Sequence, residues 1–227
     1  MEYFIFRAAC NTLETGPVYP QVQKMSPEYD YDAANSVHNL SRETDKIPYF
    51  EPNLDYFIVS GKAKLTDLLS VSVMHGGFLI SQKLKNLFEQ HKLPLHKFYP
   101  AKVNFKKEFF QYYWIHIISK FGYFVDFSKS SFFVYYNFSK NLGCIDISSQ
   151  EELIAKEQRL KNTNPGKTIA IWAETIVLKS SFDSSLDLFK IGNFDSNYYI
   201  SNNLRKSFIE NRISGVNISS AANLSIT

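Results

Sequence analysis

The sequence predicts an α+β fold in which a largely antiparallel sheet carries two or three helices. Two segments, residues 55–101 and 175–221, resemble each other at a constant offset of 120 positions. The chain is also rich in aromatic residues, with 20 Phe and 14 Tyr among 227 residues, and such residues favour strands. In the middle of the chain, turn residues separate runs of these residues, which indicates neighbouring antiparallel strands.

The similarity between the two segments holds without a gap, so both are expected to follow one supersecondary plan. Chance similarity between two amphipathic helices is the alternative. It does not easily explain why an Asp-Leu pair precedes an Ile-Ser pair by 13 residues in both segments. We therefore predict two strand–helix–strand units in which Ser81 and Ser201 are the helix N-caps. The identical positions are Ser60/Ser180, Asp67/Asp187, Leu68/Leu188, Ile80/Ile200, Ser81/Ser201, Leu84/Leu204, Phe88/Phe208 and Ala101/Ala221.

The chain is expected to divide into two regions. Residues 1–54 are predicted to form an N-terminal strand and a long irregular acidic loop, and residues 55–227 an α+β domain that contains both units. Residues 11–53 hold five of the eight prolines and little periodicity, which predicts a loop with one short helix near residues 33–40. Loops of this length in a compact domain are usually functional or disordered.

The helices are predicted from caps and apolar spacing. Apolar residues at helical spacing follow Ser81 and Ser201, and Pro94 ends the first of these helices. A capping box at residues 148–151 predicts a third, charged helix. The predicted helices are residues 82–91, 148–161 and 202–212. The predicted strands lie at residues 1–10, 56–60, 96–103, 108–119, 122–127, 131–138, 168–179 and 216–219, with a short element at 65–69 and turns at 120–122, 126–129 and 137–143.

Charge is distributed unevenly along the chain, although the net charge is only +3. Residues 1–60 hold 4 basic and 9 acidic side chains, whereas residues 61–130 hold 11 basic and 4 acidic ones. One explanation is that the acidic N-terminal part lies against the basic middle of the same molecule. The other is that one of these faces meets an oppositely charged partner, because such fields steer association.

No pattern in the sequence is typical of an enzyme, a metal site or a nucleotide site. Residues 164–168 end in Gly-Lys-Thr, but Lys161 stands where a P-loop has its first glycine, and the segment is predicted to follow a helix rather than open one. His91 and His96 flank Pro94 and have no further ligands at zinc-like spacing. We therefore predict no catalytic residue, no metal and no cofactor.

Cysteine usage and hydropathy predict a cytoplasmic protein without membrane contact. Cys10 and Cys144 are too few for a disulfide framework, so we expect both thiols to be reduced and buried. No apolar run approaches the roughly 18 residues that a membrane-spanning helix needs. The first ten residues, with an acid at position 2, do not form a secretory signal.

Several short segments within residues 55–220 carry a resemblance to a known family. They are Leu79-Ile80-Ser81 with Leu84, Phe98-Tyr99-Pro100-Ala101-Lys102-Val103, Val125-Asp126-Phe127-Ser128-Lys129-Ser130, Leu186-Asp187-Leu188-Phe189-Lys190, Tyr199-Ile200-Ser201 with Leu204, and Ile213-Ser214-Gly215-Val216. In this order they resemble the bacterial immunity proteins of polymorphic toxin systems, first typified by a myxobacterial member and long classed as a domain of unknown function. Ser214 departs from the family pattern, which often has Thr there. The resemblance implies a cytoplasmic protein that binds and neutralises a cognate toxin, with no catalytic residues to carry over.

The predicted toxin-binding residues are Glu28, Tyr29, Asp30, Tyr31 and Asp32, in the long loop. A surface that recognises one toxin and ignores its relatives should lie where the sequence can vary without breaking the core. Tyrosines are also enriched at interfaces. The alternative for this loop is a solvated acidic segment that contacts nothing.

The alternative function class is a nucleic-acid-binding accessory protein that uses the basic region 61–130. Within residues 105–114, two lysines lie among aromatic residues, as in proteins that bind single strands. A strand buries alternate side chains, however, so half of these rings are expected to belong to the core. We therefore favour a toxin as the partner over nucleic acid.

Overall fold

The computed structural model describes residues 2–118, 120–137 and 139–227. Its strands are β1 (Tyr3–Ala8), β2 (Val22–Met25), β3 (Phe57–Val59), β4 (Leu68–Leu69), β5 (Gly77–Ser81), β6 (His96–Phe105), β7 (Glu108–Ile117), β8 (Ser131–Tyr136), β9 (Lys140–Ile145), β10 (Ile169–Leu178), β11 (Leu188–Phe189), β12 (Tyr198–Ser201), β13 (Val216–Ser220) and β14 (Leu224–Ile226). Its helices are α1 (Val37–Arg42), α2 (Gln82–Phe88), α3 (Gln150–Thr163) and α4 (Asn202–Glu210), with a 3-10 turn at Gly122–Phe124. Within these described ranges, no helix combines the length and the apolar character that crossing a membrane requires.

The predicted α+β class is confirmed, because strands dominate and their pairing is mainly antiparallel, but the described residues form four helices rather than two or three. The described strands form three sheets, with the orders β2-β3-β6-β7-β5-β4, β11-β12-β1-β13 and β14-β10-β8-β9. Only the β3–β6 and β10–β14 pairs among these strands are parallel. The long β6–β7 hairpin forms the centre of the largest sheet.

The second half of β7 is buried on both faces, which explains its nearly continuous apolar sequence from Tyr112 to Ile117. Tyr112 and Trp114 belong to a core that also contains residues of the N-terminal segment. Ile115 and Ile117 belong to a second core, which lies between α2 and α4. A third core fills the space around β8, β10 and the start of α3. Alternate side chains of one strand thus support two separate cores.

The same four-strand arrangement occurs twice, as β4-β5-β7-β6 and as β11-β12-β1-β13. The registers also correspond: Leu68 pairs with Ile80 in one sheet, and Leu188 pairs with Ile200 in the other. Ile115 of β7 and Phe6 of β1 occupy the equivalent central positions. Each pairs with one residue on either neighbouring strand of its sheet. Ile115 lies between Phe78 of β5 and Phe98 of β6, and Phe6 lies between Tyr198 of β12 and Ile218 of β13.

The two arrangements differ in the origin of their central strand. The strand β7 follows its unit in the chain, whereas β1 comes from the N-terminal end. The 1–54 region therefore supplies a central strand to one sheet, and its β2 pairs with β3 in another. A duplication of one ancestral unit stays a prediction. What the structure provides is equivalent elements in equivalent registers, with Ser81 and Ser201 both at helix N-caps.

Residues 120 positions apart contact each other across the boundary between the two units. The rings of Phe88 and Phe208 have centroids 6.0 Å apart, and those of Phe78 and Tyr198 are 4.6 Å apart. Self-equivalent contacts of this kind are what packing about a two-fold axis produces. The buried residues of this shared core that match at the 120-residue offset are Leu68, Leu188, Ile80, Ile200, Leu84, Leu204, Phe88 and Phe208.

Each unit also carries one aspartate that ties its own helix to the other unit. Ser81 Oγ accepts a hydrogen bond from the Leu84 amide at 3.2 Å and donates one to Asp67 Oδ1 at 2.7 Å. Asp67 Oδ2 in turn accepts from the amide and hydroxyl of Ser214, which follows α4. Burial raises the pKa of the Asp67 carboxyl, but the bonds from Ser214 and Ser81 outweigh it and hold the pKa below its usual value.

Asp187 makes the reciprocal connection. It accepts from Ser201 Oγ, and it accepts from the amide of Lys92, which follows α2, at 3.0 Å. His91 Nδ1 lies 3.1 Å from the same carboxylate. Each aspartate thus accepts from the hydroxyl of the serine that caps its helix, and each adds a contact between the units that no local pattern could indicate.

Several elements differ from the sequence-based expectation. Residues 122–127 were expected to form a strand, but a 3-10 turn begins at Gly122, because Phe121 and Phe124 pack their rings against Phe182. Part of the expected turn at 137–143 is strand β9, which pairs with β8. The strands β2 and β14 were not predicted. Residues 119 and 138, at the ends of two predicted strands, lie outside the described residues.

Two local expectations need correction. The capping box is displaced by one residue, because Ser149 caps α3 through the Glu152 amide while the Glu152 carboxylate accepts from the Ser148 amide. The expectation that both cysteines are buried is wrong, since the Cys10 and Cys144 thiols are both free and exposed. Cys144 lies on β9, whose residues are mostly exposed at the edge of its sheet.

Candidate interaction surface

The two tyrosines of the predicted toxin-binding segment stabilise the fold through hydrogen bonds to backbone groups. Tyr29 is 8% exposed, and its hydroxyl donates to the Asn53 carbonyl and accepts from the Val37 amide, both at 2.8 Å. Burial raises the pKa of the Tyr29 hydroxyl, which keeps it protonated and able to donate. Tyr31 accepts from the Met25 amide at 3.1 Å. Removing both rings is therefore expected to disturb the fold.

The three carboxylates of the same segment lie at the surface. Glu28, Asp30 and Asp32 are exposed. Asp30 Oδ1 accepts from the amides of Asp32 at 2.9 Å and Ala33 at 3.2 Å, which fixes the local turn. Buried tyrosines and this turn together hold the carboxylates of residues 28–32, hereafter the acidic segment, in a defined position.

Replacing Tyr29 with Phe is expected to lower the free energy of unfolding by about 2 kcal/mol, because two backbone groups lose their partner in a buried site. The measurement is urea unfolding followed by circular dichroism. Tyr49→Phe is the matched control, since Tyr49 is 95% exposed and should change stability very little. Equal stability of the two variants would contradict the structural role of Tyr29.

A second exposed feature is the tip of the β6–β7 hairpin, residues 105–109. Its two turn residues, Lys106 and Lys107, have φ values of 53° and 72°. A two-residue turn with both values positive normally uses Asn and Gly, and a residue with a Cβ costs roughly 1–2 kcal/mol in this conformation. Two exposed lysines in such a turn are not explained by local propensity. Backbone outliers of this kind often mark functional sites.

Aromatic and charged side chains surround the hairpin tip. Phe109 is 55% exposed and lies edge-on to Tyr56, with ring centroids 5.0 Å apart. The Lys102 ammonium lies 5.6 Å from the Phe109 centroid and 2.9 Å from an Asp55 carboxylate oxygen. The Lys106 ammonium lies over the Phe105 ring at 4.9 Å. The tip thus presents an accessible aromatic ring with cations around it.

The acidic segment and the hairpin tip are joined through residues 53–56. The Ser26 amide donates to the Tyr56 carbonyl at 2.9 Å, close to the start of the acidic segment. Tyr29 bonds to the Asn53 carbonyl, and the Lys102 amide donates to the Leu54 carbonyl. We call the acidic segment, residues 53–56 and the hairpin tip together the composite surface. Its two halves are far apart in sequence, so no sequence pattern could have joined them.

Ion pairs account for part of the uneven charge distribution. Three lysines of the basic middle pair with acids of the N-terminal part: Lys97 with Glu51 at 3.0 Å, Lys102 with Asp55 at 2.9 Å, and Lys120 with Asp45 at 3.1 Å. This is the first of the two explanations drawn from the sequence. Exposed pairs of this kind contribute little stability, but they reduce the free positive charge of the basic region.

Ser207, His91 and Asp187 have the hydrogen-bond connectivity of a catalytic triad. His91 Nε2 lies 3.1 Å from Ser207 Oγ, and His91 Nδ1 lies 3.1 Å from Asp187 Oδ2. Ser207 lies inside α4, where the backbone amides bond within the helix and are not free to stabilise an oxyanion. Asp187 accepts from the N-cap serine of its helix, as Asp67 does without a histidine partner. We therefore interpret the group as a set of hydrogen bonds that holds the two units together.

The remaining candidates from the sequence are dispersed. His96 Nδ1 lies 2.7 Å from the Pro94 carbonyl, whereas His91 faces Asp187. His116 is buried beneath the N-terminal segment, and burial lowers its pKa. Residues 164–168 connect the end of α3 to β10. Within the described ranges, His, Cys, Asp and Glu form no group of three that could hold a metal ion.

Comparison with known proteins gives no assignment: no family model matches this chain, and no curated protein matches it.

Proposed function

We propose that this chain is an immunity protein that binds a cognate bacterial toxin and neutralises it by forming a tight protein–protein complex. The observation that supports this most is the hairpin tip, where an exposed aromatic ring lies close in sequence to two lysines that are held in a costly backbone conformation. A partner that contacts these side chains would explain why lysines occupy turn positions that normally favour Asn and Gly. The mechanism would be steric occlusion of the toxin's functional surface, or locking of the toxin in an inactive conformation.

In this proposal, Phe109 and Tyr56 are the aromatic anchors of the interface. Such rings supply most of the binding energy at protein interfaces when a partner covers them. Around them, Lys106 and Lys107 on one side and the acidic segment on the other would form a charged rim. Charged rims steer association and reject wrong partners.

The segments that resemble the immunity-protein family lie mainly in the scaffold and not on the composite surface. Leu79-Ile80-Ser81 and Tyr199-Ile200-Ser201 lead into the capped helices, and residues 213–216 contact Asp67 of the other unit. These segments build the scaffold. The composite surface consists mostly of loop and turn residues outside them, which can change between related proteins without loss of the core.

Nucleic-acid binding is the second candidate, and the hairpin tip is also the observation that favours it. Lysines beside an exposed aromatic ring can hold a phosphate and stack on a base. Against it, Lys97, Lys102 and Lys120 are paired with carboxylates. The acidic segment lies nearby and would repel a phosphate backbone. We therefore place this function second.

The test of the proposal is co-expression with the product of the neighbouring gene as the candidate toxin. We expect a complex of fixed stoichiometry that survives size-exclusion chromatography, together with restored growth of cells that produce the toxin. An oligonucleotide titration from 50 to 300 mM salt is the parallel measurement, because phosphate binding weakens steeply as salt rises. Tight salt-sensitive binding to the oligonucleotide, without a toxin complex, would favour the second candidate instead.

A further inference from the structure

We propose that the cleft between α1 and residues 72–75 is a binding site for an oxyanion, that is, a phosphate or carboxylate group. The cleft has a volume of about 340 Å³, and its polar lining consists of Tyr31, His38, Ser41, Arg42, Ser72 and His75. This site is separate from the hairpin tip, and the inference does not rest on the proposed toxin complex.

The lining of the cleft provides hydrogen-bond donors and positive charge but no carboxylate. Arg42 donates from Nη1 to Asn39 Oδ1 at 3.2 Å, and a guanidinium has further N–H groups to offer. In the parts of the chain that the structure describes, Arg42, His38 and His75 form no ion pair with Asp or Glu. Of the nearest acids in sequence, Glu43 lies 4.0 Å from Lys46, and Asp32 is exposed.

The two walls of the cleft are held together by hydrogen bonds. Ser41 Oγ, on α1, accepts from the His75 amide at 3.1 Å and donates to the Val37 carbonyl at 2.8 Å. The His38 ring lies against the Tyr31 ring, with centroids 4.9 Å apart, and the Met25 amide fixes the Tyr31 hydroxyl. The donors therefore come from two segments whose relative position is already set, which reduces the ordering cost of binding.

An oxyanion is the ligand class that matches this chemistry. Guanidinium and imidazole groups bind phosphate and carboxylate oxygens by charge-assisted hydrogen bonds, and the planar fork of Arg suits bidentate contact. A cation would be repelled by Arg42. A purely apolar ligand would displace water from the guanidinium and both imidazole rings without giving them a hydrogen-bond partner.

The experiment is a titration of ¹⁵N-labelled full-length protein with inorganic phosphate and, separately, with succinate, followed by NMR. We expect saturable shifts of the amides of Arg42, Ser72 and His75 in at least one titration. The affinity should fall about tenfold in Arg42→Gln, because one charge-assisted contact is lost. The control is Lys62→Gln, which removes one positive charge from an exposed turn and should leave the affinity unchanged.

The two titrations distinguish the source of the oxyanion. Tighter binding of phosphate points to a phosphorylated small molecule, and tighter binding of succinate points to a carboxylate ligand. The inference is overturned if neither ion gives saturable shifts in the cleft. It is also overturned if Arg42→Gln and Lys62→Gln weaken binding equally, because the effect would then follow from net charge alone.

Discussion

Replacing Phe208 with Ala is expected to lower the free energy of unfolding by about 4 kcal/mol, within the range for buried Phe-to-Ala changes. Phe208 is 2% exposed and lies in the core shared by the two units. Its ring centroid is 5.5 Å from that of Phe6 on β1 and 6.0 Å from that of Phe88 on α2. Its removal would therefore leave a cavity where an N-terminal strand and both helices meet.

Phe109→Ala is the matched control for this prediction. The same atoms are removed, but Phe109 is 55% exposed, so the expected loss is about 1 kcal/mol or less. Urea unfolding of both variants, with the slope of the transition checked against the original chain, gives the two values. A loss of similar size at the two positions would show that the packing between the units contributes little.

Replacing Asp187 with Ala is expected to cost about 3 kcal/mol, because several buried or half-buried donors lose a charged acceptor at once. The groups affected are the Ser201 hydroxyl, the Lys92 amide and His91. The change removes the acceptor that holds the N-cap serine Ser201 and a connection between the units in one step. Asp45→Ala is the control, since Asp45 forms one exposed pair with Lys120 and should cost about 0.5 kcal/mol or less.

The same carboxylate predicts a pH dependence. Burial raises the pKa of Asp187, but the hydrogen bonds from Ser201, Lys92 and His91 outweigh it, so the folded-state pKa lies below the usual value. The stabilisation is therefore present above the pKa of the unfolded chain and is lost as pH falls through the folded-state pKa. Between pH 5 and pH 2, the stability difference between the original chain and Asp187→Ala should shrink. A constant difference over that range would contradict the role given to this carboxylate.

The parts of the fold that local signals determine were predictable from the sequence. Ser81 and Ser201 both cap helices, as expected for a serine that directly precedes apolar residues at helical spacing. The aromatic run of β7 is a strand, as its composition predicts. The 3-10 turn at Gly122 was missed because packing of Phe121 and Phe124 overrides the strand preference of these residues. The place of β1 beside β12 and β13 was missed because no local pattern identifies a strand's partners.

The candidate surface was predicted only in part. The alternating acids and tyrosines of the acidic segment indicated an exposed site, but Tyr29 is part of the core and only the carboxylates are exposed. Strict alternation of acids and tyrosines can also mean that one face of the segment is buried, and this interpretation would have predicted a buried Tyr29. The hairpin tip lay within a segment that the sequence marked as basic and aromatic. Its connection to the acidic segment depends on backbone contacts of residues 53–56, which composition does not encode.

The measurement that tests the central claim most directly is the affinity of the cognate toxin for the original chain, Phe109→Ala and Ile209→Ala, by calorimetry. Phe109 and Ile209 have similar exposure, 55% and 62%, but only Phe109 lies on the composite surface. We predict that Phe109→Ala weakens toxin binding by about 2 kcal/mol, as expected for an aromatic anchor, while Ile209→Ala leaves it unchanged. Unchanged affinity in Phe109→Ala, or a larger loss in Ile209→Ala, would contradict the proposal that the hairpin tip holds the toxin.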